Sequence, residues 1–432
     1  MLFKNIGIVD ENFDYVKSMF VETKDDRIVY VSSVRPENYE GEEYDGTGKV
    51  LMPGFVNAHS HSPMTLLRGY AENLPLQRWL NEKVFPFEDR IKGEDAYYSS
   101  MLAIAEMLRY GTVSFSDMYF FSENVAKAVT DSGIKCNFSR AITSFEDTDI
   151  ENLQSFRESE DIVKRFHNTA DGRLKIDMSL HAEYTNRRTI IEQFAEKVRE
   201  RGLRAHIHLS ETKKEHEECK AKYSLTPTQL FCQCGVFDVP TTAAHCVWVE
   251  DGDIELLREK GVTAATCPAS NLKLGSGICD VYKLLKSGVN VAIGTDSVAS
   301  NNNLNMIKEM FLCALLPKGL HNDASVVSER DILKMATVNG YKAQGREDSG
   351  AIKAGYKADL CVLNIEGEHM YPQTDMINNL VYAADGADVV LTMADGRVLY
   401  KDGEFTTIDI EKVKSTVNAA ASRIISEVKK NG

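Results

Sequence analysis

The stretch LMPGFVNAHSH (51–61) reads as a buried strand, an apolar run that closes on His59-Ser-His61. Residues two apart on a strand share a face, so both imidazoles can point to one centre. Working outward, other apolar runs close on the same kinds of side chain. LKIDMSLHAEYT (174–185) ends at His181, LRAHIHLSET (203–212) at His208 and Glu211, TTAAHCVWV (241–249) at His245, and VNVAIGTDS (289–297) at Asp296. A lone H-x-H could be two strand-end histidines satisfied by hydrogen bonds, but five such ends imply convergence on one metal ion.

Three further runs, TVSFSDMY (112–119), IKCNFSRAI (134–142) and VTAATCPASN (262–271), bring the strand candidates to eight. Helical patterns such as EDAYYSSMLAIAEMLRYG and IIEQFAEKVRERG alternate with them, which is how a parallel sheet covered by helices is built. Eight strands predict an α/β fold closed as a (β/α)8 barrel, with its chemistry at the carboxyl ends of the strands. Alternating segments at both chain ends, RIVYVSS before and ADLCVLN and ADVVLTMADGRVLYKDGEF after, predict a small β-sandwich shared by the termini. The expected domains are therefore 1–55 with 348–432 for the sandwich and 56–347 for the barrel. Ile410, Val413, Val417, Ala421, Ile424 and Val428 have helical spacing, so a terminal helix over Ile408 to Lys430 is expected.

Composition limits the function classes. The chain has 432 residues, 43% hydrophobic and 26% charged, enough to bury a large core. A net charge of −14 offers no basic face, so nucleic acid is not an expected partner. No apolar run approaches the roughly 18 residues of a membrane helix, and the N-terminus lacks a basic segment followed by an apolar one. A cytoplasmic enzyme without a membrane partner is expected, and a homo-oligomer is compatible with it. The nine cysteines are scattered, with Cys246, Cys267, Cys313 and Cys361 inside apolar runs, so buried thiols rather than disulfides are predicted. Cys232-Gln-Cys234 has no second Cys/His pair at finger-like spacing and reads as a helix end or loop.

Asp296 follows an apolar run where an unpaired carboxylate would be costly, and a bound cation removes that cost. His208, followed by Leu-Ser-Glu, is the loop-side ligand of its own H-x-H, with His206 packed below. Three histidines and an aspartate leave room for water, the mark of a catalytic rather than a closed site. The end of strand four carries His181 and no lysine, so one ion is expected rather than a lysine-bridged pair. Zinc suits these ligands best, and ferrous iron also fits.

Together PGFVNAHSH, HIHLSET, AAHCVWV, CPASNLKLGSG, IGTDSVASNNNLNM, MATVNG and GAIKAGYKADLCVLN resemble the amidohydrolase superfamily over nearly the whole chain. Within it they look like the branch that deaminates 5-methylthioadenosine and S-adenosylhomocysteine. The resemblance implies the barrel, the terminal sandwich and hydrolytic release of ammonia from an aminated heterocycle or nucleoside. It carries the metal ligands over as His59, His61, His208 and Asp296. It also makes Glu211 a proton shuttle from the attacking water to a ring nitrogen, His245 the group that polarises that water, and Asp296 the carrier of a proton to the leaving amine. For substrate contacts it points to Glu88 on ribose hydroxyls, His181 on the heterocycle, Arg140 on a distal carboxylate, and Glu211 and Asp296 at the reacting centre.

Two departures stand out. The acidic segment SFEDTDIENLQSF offers only Arg157 as a loose second arginine, which weakens the case for a homocysteine tail. His181-Ala-Glu-Tyr-Thr replaces the His-x-Pro-Tyr-Thr of the resemblance, leaving Glu183 without a role and, on the plainest reading, facing solvent. The same scaffold also deaminates guanine, cytosine and other heterocycles or displaces groups from triazines, and only the pocket separates these. A non-catalytic, metal-stabilised binding protein would need neither Glu211 nor His245.

Overall fold

The computed structural model describes residues 1–431. Eight parallel strands follow in chain order: strand one (Phe55–Ser60), two (Thr112–Met118), three (Lys135–Ser139, resuming at Ala141–Ile142), four (Leu174–Ile176, resuming at Met178–Leu180), five (Ala205–Leu209), six (Thr241–His245), seven (Thr263–Thr266) and eight (Asn290–Ile293). Strands one to four pair in sequence in a four-stranded sheet, and strands three to eight in a six-stranded one. Strands three and four, each interrupted by one residue, belong to both sheets. A parallel bridge between Ser60 and Asp296 then brings the end of strand eight back beside the end of strand one. This is a mixed α/β fold on parallel sheets, and its helices bury one stripe each. Helix Arg188–Arg201 turns Ile190, Ile191, Phe194, Ala195 and Val198 inward and stops at Gly202, whose φ of 62° suits a left-handed cap.

Both chain ends build one nine-stranded sheet. Lys49–Pro53 pairs antiparallel with Leu360–Asn364 in its middle, flanked by Leu2–Val9, Tyr15–Lys24 and Arg27–Ser32 on one side and Val389–Ala394, Arg397–Lys401 and Glu404–Phe405 on the other, and the short Glu43–Asp45 also pairs with Leu2–Val9. The reading of 51–61 as one strand is corrected here: the chain crosses from this sheet into strand one at Gly54. A Cβ there would stand 2.5 Å from Val113 Cγ1, so the crossing needs glycine. The run 262–271 is also shorter as a strand than expected, because Pro268 opens the helix Pro268–Lys273.

Buried charge ties the terminal sheet to the parallel strands. Lys135 Nζ, on strand three, lies 2.6 Å from Asp359 Oδ2 and 2.7 Å from Asp395 Oδ1, all three side chains being almost fully covered. The terminal helix, Ile410–Asn431, buries Val413, Val417, Ala420 and Ile424, and its Arg423 bonds to Asp95 on helix Gly93–Arg109. All nine cysteines are free; Cys246, Cys267, Cys313 and Cys361 are buried, and Cys234 caps helix Pro227–Gln233. Among the described residues no helix is long and apolar enough to cross a membrane.

Candidate active site

Groups behind the imidazoles orient them. His61 Nδ1–H donates to the Met118 carbonyl at 2.6 Å and His208 Nδ1–H to the His181 carbonyl at 2.7 Å, so both rings offer Nε2. His59 is fully buried, its Nδ1 3.0 Å from His206 Nε2, and its own Nε2 has no hydrogen-bond partner. Asp296 Oδ1 lies 3.2 Å from His61 Nε2 and 3.6 Å from His59 Nε2, while Oδ2 accepts from Ser270 Oγ at 2.6 Å and Ser300 Oγ at 2.9 Å. The donor atoms of His59, His61 and Asp296 all fall within 4.8 Å of one another, as do those of His59, His208 and His245. An orphaned, buried imidazole nitrogen beside two oriented rings and an anchored carboxylate fits a divalent cation. His206, expected below His208, lies two residues before it on strand five and packs against His59.

Local backbone brings these ends together. Ser210 (φ 47°), His245 (φ 72°) and Asp296 (φ 57°) turn left-handed where their strands end, a conformation that costs a non-glycine residue of order 1 kcal/mol and gathers at functional sites. Gly294 lets strand eight pass strand one closely, since a Cβ there would stand 2.9 Å from both the Cβ and the backbone nitrogen of His59.

The electrostatics follow the burial. Burial, then neighbouring histidines, hold His59 and His208 well below the usual imidazole range, which keeps them neutral. Burial alone would raise Asp296, but its bond to His61 and the charges of His61, His245 and His59 hold it well below the carboxylate range. The same contact carries His61 to about 9 against its own desolvation. Glu211 is pushed up by burial; its Oε1 accepts from Ser276 Oγ at 3.3 Å and its Oε2 lies 3.8 Å from His245 Nε2. His245 Nδ1 sits 2.9 Å from Asn271 Oδ1, which fixes the ring.

Above this cluster opens a cavity of about 220 Å³. It is lined by His61, His181, His208, Glu211, His245 and Asp296, by Glu88 and Arg140, and by apolar side chains that include Leu76, Trp79, Phe85, Phe120 and Leu274. Burial lifts Glu88 to about 7 even though Tyr119 Oη–H donates to it at 2.6 Å. Burial lowers His181 to about 4, and its Nδ1 faces Thr185 Oγ1 at 3.2 Å. Arg140 reaches the cavity with its charge already engaged: Nε bonds to Glu158 Oε2 at 2.7 Å and Nη1 to its neighbour's carbonyl at 2.7 Å. Arg157 does not line this cavity but an adjoining outer hollow that Arg140 also borders.

Glu183 corrects the plain loop reading: it is only 3% exposed. Sequence reasoning missed Tyr119, Ser270, Asn271, Ser276 and Ser300, all hydrogen-bonded to site groups. Asp117 was missed too; its carboxylate accepts from Ser60 Oγ, Ser62 Oγ and the Ser62 amide and so holds the loop after strand one. Its signal was the polar Ser-Asp-Met-Tyr end of strand two.

The amidohydrolase family model matches residues 50–399. A 5-methylthioadenosine/S-adenosylhomocysteine deaminase from Dictyoglomus thermophilum is 45% identical to this chain over 89% of each sequence. A 5′-deoxyadenosine deaminase from Methanothermobacter thermautotrophicus is 40% identical over 93% of each. Among solved structures, an adenosine deaminase from Xanthomonas campestris with bound zinc superposes with a TM-score of 0.92 at 29% identity, covering 98% of both chains.

Proposed function

Because the chain belongs to the amidohydrolase family, we propose that it is a metal-dependent deaminase that converts a 5′-modified adenosine to the inosine product and ammonia. The observation that carries this reading is one cavity lined by His61, His208, Asp296 and Glu211 of the site, with His59 buried behind them, and by a half-buried Glu88. We further read the ring of parallel pairings as a closed (β/α)8 barrel over 56–347, and the terminal sheet as a β-sandwich drawn from 1–55 and 348–432.

His59, His61, His208 and Asp296 would hold one divalent ion, and zinc is our choice; His245 stands close enough to the donor set to share its charge. Such an ion supplies Lewis acidity that brings the pKa of a water near neutrality. Glu211, not a ligand, takes a proton from the attacking water and delivers it to N1 of the purine as the oxygen adds to C6. His245, held by Asn271, orients that water through Nε2. Asp296 then passes the remaining proton to the amino group, the C6–N bond breaks, and ammonia leaves. His181, neutral and held through Nδ1, offers Nε2 to the base, and Glu88 accepts from two ribose hydroxyls. Arg140 is already paired with Glu158, and much of the remaining cavity lining is apolar, which supports a small apolar 5′-substituent over an amino-acid tail.

The test is ammonia release from a panel of nucleosides and bases, with metal counted. We expect about one ion per chain, fastest turnover of 5′-methylthioadenosine or 5′-deoxyadenosine, and slower turnover of S-adenosylhomocysteine. Chelation should abolish turnover without unfolding, and Glu211→Gln should keep the metal while losing at least ~100-fold in kcat. Guanine or cytosine as the fastest substrate, or full activity after complete chelation, would overturn the reading.

A further inference from the structure

Among the buried carboxyl groups that the scheme above leaves unused, two stand close to Glu211 in the chain or the fold. Glu183 opens the short turn Glu183–Thr185 after strand four, and Glu215 lies in the first turn of helix Lys213–Tyr223; they are 3% and 5% exposed. The turn that carries Glu183 packs against the helix that carries Glu215, and each residue has one buried side-chain oxygen without a hydrogen-bond partner, Glu183 Oε2 and Glu215 Oε1. Two ionised carboxylates have no donor between them, so a bond joining these two oxygens needs one proton. With both groups ionised, Glu183 Oε2 and Glu215 Oε1 would be buried oxygens without partners, and a single proton held between the groups removes that conflict. Burial first, then the charge of Glu215, pushes Glu183 well above the usual carboxyl range, and burial first, then the charge of Glu211, pushes Glu215 up to about 7.

Glu215 is already committed on its other side. Its Oε2 accepts the backbone N–H of Glu211 at 2.9 Å and that of Thr212 at 3.3 Å, while its own N–H bonds to Thr212 Oγ1 at 3.2 Å. The Glu211 amide therefore hangs on a carboxylate whose other oxygen, Oε1, is buried without a partner of its own. That anchoring falls at a sensitive point, directly after the left-handed Ser210. The other titratable groups around the pair are Tyr184 on the same turn, Glu211 itself, Cys219 further along the helix, His245 at the end of strand six and Cys246 just after it.

We propose that Glu183 is a positioning residue: its protonated carboxyl donates to Glu215, fixes the Glu215 carboxylate on the backbone amide of Glu211, and thereby sets where the Glu211 side chain meets the substrate. This rests on the reading of Glu211 as the proton carrier. Glu183→Gln keeps a hydrogen-bond donor to Glu215, whereas Glu183→Leu keeps the volume without the donor.

Steady-state kinetics with 5′-methylthioadenosine on the zinc-loaded variants tests the proposal, with Glu211→Gln alongside. The expected result is a kcat within about threefold of wild type for Glu183→Gln. Glu183→Leu should lose about 10- to 100-fold in kcat, with KM nearly unchanged and metal content intact, the size of effect that a small misplacement produces. If Glu183→Leu does not fold, Glu183→Ala is read in the same way. Equal kcat in the donor-less variant and wild type, equal losses in the Gln and Leu variants, or loss of metal would overturn the positioning role. Wild-type turnover in Glu211→Gln would instead overturn the proton-carrier reading, so the two failures are distinguishable.

Discussion

Among the side chains of the cavity, Glu88 offers the sharpest readout of substrate. Its carboxyl is held near 7 by burial, so it is mostly protonated at pH 6 and mostly ionised at pH 8. Only the ionised form accepts two ribose hydroxyls at once, so binding is gained as pH rises through 7. For 5′-methylthioadenosine, kcat/KM should rise roughly tenfold between pH 6 and 8 through this group, and Glu88→Gln should flatten that rise. An unchanged profile in Glu88→Gln would remove Glu88 from nucleoside recognition. Glu88→Ala should correspondingly harm the nucleoside far more than adenine, which lacks the hydroxyls. The histidines and Asp296 were legible in sequence because histidine is scarce and each of these side chains closes an apolar run, whereas Glu88 was reached only through the family resemblance. The groups that aim them were not legible. Ser270, Asn271 and Ser276 are ordinary residues whose contacts with Asp296, His245 and Glu211 arise from tertiary structure, and Glu183 was misjudged because local sequence carries no record of burial.

Strand eight shows how much of the site depends on two segments touching. At Gly294 the nearest neighbours are His59 and Cys267, and an added methyl would press on the His59 backbone nitrogen, which cannot yield like a flexible side-chain tip. Gly294→Ala should leave a folded protein whose zinc affinity drops by an order of magnitude or more, because ligand geometry tolerates only small displacements. Gly252→Ala, at a position with nothing within 4 Å, is the control and should change neither affinity nor turnover. Chelator competition measures both, and an unaltered zinc dissociation constant in Gly294→Ala would refute the close-contact argument. Eight strand runs were readable from apolar runs and intervening helical patterns, but their limits were not. The break at Gly54 depends on which sheet supplies the next hydrogen bond, and the single-residue breaks at Arg140 and Asp177 depend on which neighbour each half of a strand meets.

For the molecule as a whole, the buried Lys135–Asp359–Asp395 triad joins strand three to the terminal sheet. Lys135→Met would leave two carboxylates covered without their cation, a change that typically costs about 3–5 kcal/mol. A clear fall in the urea midpoint and in Tm is expected, with metal content preserved in the folded fraction. A midpoint equal to that of wild type would show that the triad contributes no net stability. The association of both chain ends was foreseen from their alternating patterns, whereas the triad was not, since no spacing links position 135 to 359 and 395. The pairing of Lys49–Pro53 with Leu360–Asn364 sets a timetable for biosynthesis. While the ribosome is still making most of the polypeptide, the nascent N-terminal strands expose an unpaired edge whose partner has not yet been translated. Such edges invite intermolecular pairing, so the growing chain gains from a chaperone or from rapid elongation until residue 364 has left the exit tunnel.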